Sequence, residues 1–485
     1  MKEAGMKETG ISEIDTNRDG AHATTMKTEL AAEVEAQCGQ NTYLCYQCVR
    51  CTSGCPVTDY YDYTPNQVMR LVQIGDEDTA LNARTPWLCA SCQTCSTRCP
   101  QGLDIAKVME TLTQIAQRRG LKPAVPNVAL FNKIFMKDAG LFGRVYELGL
   151  MGSMNLFSGN LFEDLDLGIE MMKKSKLAFL PTFARSRPDK AKRIEVTEKQ
   201  VGYYPGCSLH SLAKEFDTSY RASATALGFE LVEPKGWTCC GASPAHHVDH
   251  YLGVKAPVVN LALAEATGLR EVVAPCAACY NRFKAAEFEL KNDVKLKGRI
   301  DADMGYTYQG SLKVQSITDW LVDTVGTDAI KARVVSPLEG LRAVSYYGCL
   351  LTRPPEVTGH PHPEYPMELD NIMEALGAEP LDWDDKTTCC GGSLAVPAKE
   401  VMLALSQKIV ESAMAVGADV VVVACPLCDS NLDSRQGQME GLEGRIPVLY
   451  VTQLMALAFG LSGKALGFER KLVDPRPLLK KKKFI

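Results

Sequence analysis

Long apolar runs are missing from this chain. None of its 485 residues belongs to a stretch near the eighteen or so apolar residues that a membrane-spanning helix needs. An excess of charge of either sign is also missing. With 53 Lys and Arg against 58 Asp and Glu, the net charge of −5 gives no basic footprint for nucleic acid. There is no phosphate-loop motif, no G-x-G-x-x-G following a strand and no Ser-His-Asp constellation, so ATPase, nicotinamide-enzyme and serine-hydrolase readings find no support. Seven histidines leave little room for a histidine-based metal site. The polar N-terminus, MKEAGMKETGISEIDTNRDGAHATT, carries no apolar signal core, so a cytoplasmic location is expected.

Cysteine is abundant by contrast: there are nineteen. In a reducing compartment so many cysteines bind metals rather than form disulfides. Cys38 stands alone and reads as an ordinary helix-end residue; the other eighteen fall into four groups.

Two groups are the runs Cys45-x-x-Cys48-x-x-Cys51-x-x-x-Cys55-Pro56 and Cys89-x-x-Cys92-x-x-Cys95-x-x-x-Cys99-Pro100. This spacing is that of proteins holding two cubane [4Fe–4S] clusters, in which each fourth cysteine ligates the other cluster. The expected ligand sets are therefore Cys45, Cys48, Cys51 and Cys99 for one cluster, and Cys89, Cys92, Cys95 and Cys55 for the other. Between the runs, Thr64 as N-cap, Pro65 in the first turn, Val68, Leu71, Val72 and Ile74 on an apolar face and Gly75 as stop predict a helix. A second helix is expected after Pro100, with Ile105, Val108, Met109, Leu112 and Ile115 on one face and Gly120 at its end.

The other two groups repeat one pattern: a lone cysteine, a Cys-Cys-Gly doublet and a C-x-x-C. The first copy is Cys207, Cys239–Cys240–Gly241, Cys276 and Cys279; the second is Cys349, Cys389–Cys390–Gly391, Cys425 and Cys428. VGYYPGC matches AVSYYGC, WTCCGAS matches TTCCGGS, and EVVAPCAAC matches DVVVVACPLC. Such self-similarity marks a duplicated metal-binding unit. Four thiolates saturate a cubane or a tetrahedral zinc, so a fifth in each copy points to an iron–sulfur cluster of another kind, with a structural zinc site as the alternative. Each copy reads as α/β. Short apolar strands (Val201–Tyr204, Val272–Val273; Ala343–Tyr346, Val420–Val423) deliver cysteines just past their carboxyl ends, where open parallel sheets place ligands.

The expected organisation is a flexible tail at 1–26, a two-cluster helical domain at 27–120, a helical connector and linker at 121–199, repeat units at 200–335 and 336–465, and a polar tail at 466–485. The connector's aromatics and methionines either form a docking face or pack on the cluster domain. Disulfide reduction takes two electrons. Two substrate-facing centres on one pocket could each supply one electron and bind one sulfur, which gives the duplication a chemical reason. Lacking a flavin or nicotinamide motif, the chain is expected to take electrons from another subunit.

LCYQCVRCTSGCPV, TPNQVMRL, WLCASCQTCSTRCPQGLDIAKVM and RVYELGLMG resemble the C-type subunit of heterodisulfide reductase, and both CCG motifs resemble its B-type subunit. The whole resembles a natural fusion of the two, as in the D-type subunit of the membrane-linked enzyme. The resemblance implies an α+β multidomain fold: an N-terminal α-helical ferredoxin-like domain with two [4Fe-4S] clusters, followed by two tandem α/β CCG domains. It also implies two noncubane [4Fe–4S] clusters, each held by the five cysteines of one copy, with a disulfide cleaved between them. The implied partner is a flavin-containing A-type subunit or a membrane cytochrome b, and the implied substrates are small-molecule disulfides or thiols. A second expectation is an electron-transfer subunit like those of glycolate, lactate or glycerol-3-phosphate dehydrogenases, without disulfide chemistry.

Overall fold

The computed structural model describes residues 27–485; the expected tail at 1–26 lies outside the described residues. Helix α1 (Glu29–Cys38) is capped by Thr28, whose Oγ1 accepts from the Ala31 N–H, and Cys38 ends it with Sγ donating to Val34 O at 3.0 Å. Helix α2 (Pro65–Ile74) starts with Pro65 at its first position, and Gln67 Oε1 accepts from Thr64 N–H at 2.8 Å. It stops at Gly75, left-handed at φ 73°. Its buried face is Val68, Met69 and Val72, whereas Ile74, expected on that face, is 53% exposed. Helix α3 (Ile105–Arg118) buries Ile105, Val108, Met109, Leu112 and Ile115, the face its periodicity dictates.

The connector forms α4 (Pro126–Phe142), α5 (Glu147–Ser158) and α6 (Leu165–Lys173). Two parallel four-stranded sheets follow. The first contains β1 (Gln200–Tyr203), α7 (Lys214–Ala226), β2 (Glu230–Val232), α8 (Ala242–Val248), α9 (His250–Thr267), β3 (Glu271–Ala274), α10 (Ala277–Asn292) and β4 (Lys313–Ser316), in strand order β2-β1-β3-β4. The second contains β5 (Arg342–Tyr346), α11 (Glu368–Ala375), β6 (Glu379–Pro380), α12 (Lys399–Ala415), β7 (Val420–Val423), α13 (Pro426–Leu432), β8 (Val448–Tyr450) and α14 (Val451–Ala458), in order β6-β5-β7-β8. Every strand pair is parallel. The four valines of β7 are all fully buried, as a strand covered on both faces requires.

The two sheets share one continuous core. Phe216 of α7 stacks on Tyr450 of β8, with ring centroids 4.1 Å apart, and Ser219 and Thr452 hydroxyls bond at 2.6 Å beside them. The last segment folds back as α15 (Arg476–Lys481), with Leu479 fully buried. Among the described residues no helix is long and apolar enough to cross a membrane.

Candidate functional site

The two N-terminal runs adopt the same backbone. Gln47 and Val49 in the first, and Ser91 and Gln93 in the second, all have positive φ, between 49° and 67°. For a β-branched residue such as Val49 that conformation is costly, so the loop is held by what it must do. Positive φ at every second residue is the kind of loop backbone that can bring N–H groups round an anionic cluster. Cys45, Cys48, Cys51 and Cys99 surround one small cavity of about 20 Å³, and Cys55, Cys89, Cys92 and Cys95 surround another. Ile105, the first residue of α3, lines both.

In each sheet the chain leaves the first strand towards one edge and returns to the other side. The crevice of a doubly wound sheet therefore opens between β1 and β3, and between β5 and β7. Cys207 and Cys276 follow β1 and β3; Cys349 and Cys425 follow β5 and β7. The duplication extends to the supporting bonds. Three residues before the lone cysteine, a buried tyrosine holds the doublet's loop: Tyr204 donates to Thr238 O at 2.7 Å, and Tyr346 to Thr388 O at 2.6 Å. The glycine before the lone cysteine is left-handed in both copies. A Cβ on Gly206 would lie 3.0 Å from Cys279 Sγ, and one on Gly348 2.9 Å from Cys428 Sγ. The Gly241 N–H points at Cys239 Sγ (3.4 Å) and the Gly391 N–H at Cys389 Sγ (3.3 Å).

Within the sets, Cys240 and Cys279 sulfurs are 3.3 Å apart, Cys390 and Cys428 3.8 Å, and Cys349 and Cys389 3.9 Å. Bonds from Cys239 and Cys279 hold the Cys240 thiol well below its ordinary range. A bond from Cys428 lowers Cys390, while the thiols of Cys239 and Cys389 are pushed up by Cys207 and Cys349 respectively. The same member of each doublet is thus favoured as thiolate.

The groups also lie near one another. Cys92 of the second run and Cys389 of the second set lie in one buried cluster, and Cys425 of that set shares a core with Cys276 of the first. All five cysteines of the first set line a cavity of about 410 Å³ roofed by α5 and α6 of the connector. The Val145 N–H reaches Cys207 Sγ at 3.4 Å, and the Cys239 N–H donates to Gly143 O at 2.8 Å, fixing the connector to the site. The expectation that both sets face one pocket is met for the first alone. Second-set cysteines do not line the cavity, although their neighbours Leu427 and Asn431 do. The connector's Met151, Met171, Met172 and Phe135 line it, while Leu156, Phe157, Leu161, Phe162, Phe179, Leu180 and Phe183 stay exposed.

Some site residues carried no usable signal in the sequence. Glu147 lines the cavity and accepts from Ser211 Oγ, and burial pushes its carboxyl up to about 7. Glu110, His246 and His247, from α3 and α8, gather within 4.8 Å of one another, with Ser91 Oγ 3.0 Å from Glu110 and 3.1 Å from His247. Burial alone would raise Glu110, but His246 holds it well below the usual carboxylate range; burial pushes His247 down to about 4.

Donor sets of four or five thiols, all buried or half-buried except the exposed Cys48, with backbone N–H groups aimed at sulfur in the doublets, suit iron–sulfur clusters. The fold and site define an iron–sulfur protein with a cluster-binding helical part ahead of duplicated cysteine-rich α/β units. Family models agree: a "4Fe-4S dicluster domain" matches residues 44–104, and a "Cysteine-rich domain" matches 201–284 and 343–433. The chain is 33% identical over 287 residues, 58% of its length, to an 8-methylmenaquinol:fumarate reductase membrane anchor subunit of Wolinella succinogenes, covering 99% of that protein. It is 28% identical over 286 residues (57% of the chain, 94% of the relative) to the B-type subunit of the ferredoxin/F(420)H(2)-dependent CoB-CoM heterodisulfide reductase of Methanosarcina acetivorans. The D-type subunit of the dihydromethanophenazine:CoB–CoM heterodisulfide reductase of Methanosarcina barkeri matches at 24% over 390 residues, 77% of this chain and 78% of that one. The chain belongs to the family of heterodisulfide reductase iron–sulfur subunits, in the arrangement that joins C-type and B-type parts.

Proposed function

We propose that this chain is the iron–sulfur catalytic subunit of a heterodisulfide reductase-like complex. In this reading Cys45, Cys48, Cys51 and Cys99, and Cys89, Cys92, Cys95 and Cys55, hold two cubane clusters. Cys207, Cys239, Cys240, Cys276 and Cys279, and Cys349, Cys389, Cys390, Cys425 and Cys428, hold two noncubane clusters. When bound, the clusters supply single electrons and, at open irons, a seat for substrate sulfur. The reaction is R–S–S–R′ + 2 electrons + 2 protons → RSH + R′SH, or its reverse. Its electrons come from or go to a flavin-containing A-type subunit or a membrane cytochrome b.

One observation supports the reading above all: the closely spaced series of thiols. It runs from Cys92 past the adjacent Cys389 and Cys390 to Cys425 and Cys276, and ends at a cavity large enough for a small substrate. Around that cavity the connector supplies an apolar roof, Tyr204 holds the doublet loop in place, and Glu147 keeps a proton to give. Cys240→Ala and Cys390→Ala are expected to abolish disulfide reduction while leaving both cubane signals in the electron paramagnetic resonance spectrum; activity retained in both variants would end the proposal.

A second reading is an electron-transfer subunit of a flavin dehydrogenase without disulfide chemistry. The relative whose name places it in a fumarate reductase favours it. Thiols added to oxidised protein separate the two: a changed paramagnetic signal supports disulfide chemistry, and an unchanged one supports the relay.

A further inference from the structure

The cavity over the first cysteine set is short of one kind of group: a free cation. Among the described residues its charged lining consists of Glu147, Glu163, Asp164 and Arg435. Arg435, the single cation among them, is paired with a carboxylate. Its Nη1 donates to Asp164 Oδ2 at 2.5 Å and to Gln438 Oε1 at 2.8 Å, and its Nη2 to Ala395 O at 3.3 Å. Asp164 and Glu163 are bound in turn by Lys399, which does not line the cavity. Any sulfonate, phosphate or carboxylate entering would give up water for a wall of apolar side chains and carboxylates, with no partner charge to repay the loss. The approach is similar. Leu165 and Ile169 line the cavity and are also 51% and 38% exposed, so its mouth opens at an apolar surface beside Phe162.

Resting on the disulfide reading above, we propose that this cavity selects an uncharged, apolar-armed disulfide and discriminates against anionic ones. The step takes two electrons through the thiol-lined path and two protons, breaks one S–S bond and releases two neutral thiols. Selection arises because only a substrate without charge can reach the sulfur-lined floor without an uncompensated desolvation penalty.

The test uses anaerobic full-length holoprotein with reduced viologen as donor and two probes of one skeleton: the dithiodipropionate dianion and its bis(ethylamide). The amide is expected to show a kcat/KM at least about tenfold higher. Met172→Arg, which puts an unpaired cation in the lining, is expected to reduce that ratio about tenfold. Equal or reversed preference in the parent, or a ratio unmoved by Met172→Arg in protein with full iron content, overturns the proposal. Calorimetric binding of both probes keeps the two claims apart. If neither probe is reduced, the disulfide reading fails. Selectivity for uncharged ligands still stands if the amide binds about tenfold tighter, and falls if the dianion binds equally or better.

Discussion

Glu147 shows how much a single buried group can set. Its carboxyl sits under the connector roof with Ser211 as its one side-chain donor, and desolvation outweighs that bond. A folded value of about 7, above the ordinary 4.5, means that between those values the unfolded chain has lost a proton the folded chain keeps. The unfolded state then binds fewer protons, so this group lowers stability as pH rises from the unfolded value through the folded one. Glu147→Gln should therefore leave stability at pH 4 nearly unchanged and raise it at pH 8 by about 1–3 kcal/mol. Paired thermal melts at the two pH values check this, and an equal effect at both would refute it. Proton delivery gives the variant a second readout, since activity of the parent should fall above neutral pH while the Gln variant has a flat, lower profile. None of this was legible in the sequence. Glu147 is one of many glutamates, set within RVYELGLMG, and its burial depends on α5 closing over cysteines about sixty residues away. The cysteines themselves were legible because metal ligation imposes spacing, and spacing survives in one dimension.

At the scale of elements, amphipathic helices and the cysteine-delivering strands β1, β3, β5 and β7 were readable, and the other strands were not. α3 declared itself through a 3.6-residue period, and its apolar face packs as that period dictates. Ile74 of α2 departs from its expected face because it lies in the last turn, where the capping glycine bends the chain away. β2, β4, β6 and β8 span two to four residues, too few for any periodicity to show. α3 also has an assignment its sequence does not reveal, since its first residue, Ile105, separates the two four-cysteine cavities. That position depends on Asp104, which caps α3 by accepting from Lys107 N–H at 3.0 Å and from Ser96 Oγ, next to Cys95, at 2.8 Å. Asp104→Ala should cost about 0.5–2 kcal/mol as a lost cap. It should also speed iron loss from the N-terminal part under chelator, while the cysteine-rich half keeps its iron. Chelation followed by colour loss and melting measures both, and unchanged iron retention would show that the cap only stabilises the helix.

For the whole molecule, the question is what aligns the two sheets so that Cys276 and Cys425 share one core. The C-terminal segment answers much of it, with two adjacent residues that pair with different sheets. Arg470 donates to Glu215 of α7 at 3.1 Å and to Ser211 O at 3.3 Å, on the first sheet. Lys471, fully buried, pairs with Asp429 of α13 in the second sheet and sits 4.3 Å from the Tyr450 ring centroid. Lys176 of the connector joins the same knot through Glu215. Composition gave no hint of this, because KLVDPRPLLKKKKFI reads as a solvated basic stretch and only the folded chain shows which lysine is enclosed. Burying an ion pair yields little net stability, but removing one partner strands the other charge at a cost of about 3–5 kcal/mol. Lys471→Met should therefore lower Tm sharply by leaving Asp429 unpaired beside Cys428. Adding Asp429→Leu should recover most of that loss, because an apolar pair of similar volume is often neutral. The restored double variant isolates the geometric role of the clamp: if charge pairing sets the alignment of the sheets, it should melt near the parent temperature yet reduce disulfide more slowly. Full activity in a stable double variant would mean that core contacts such as Phe216 on Tyr450 align the sheets unaided.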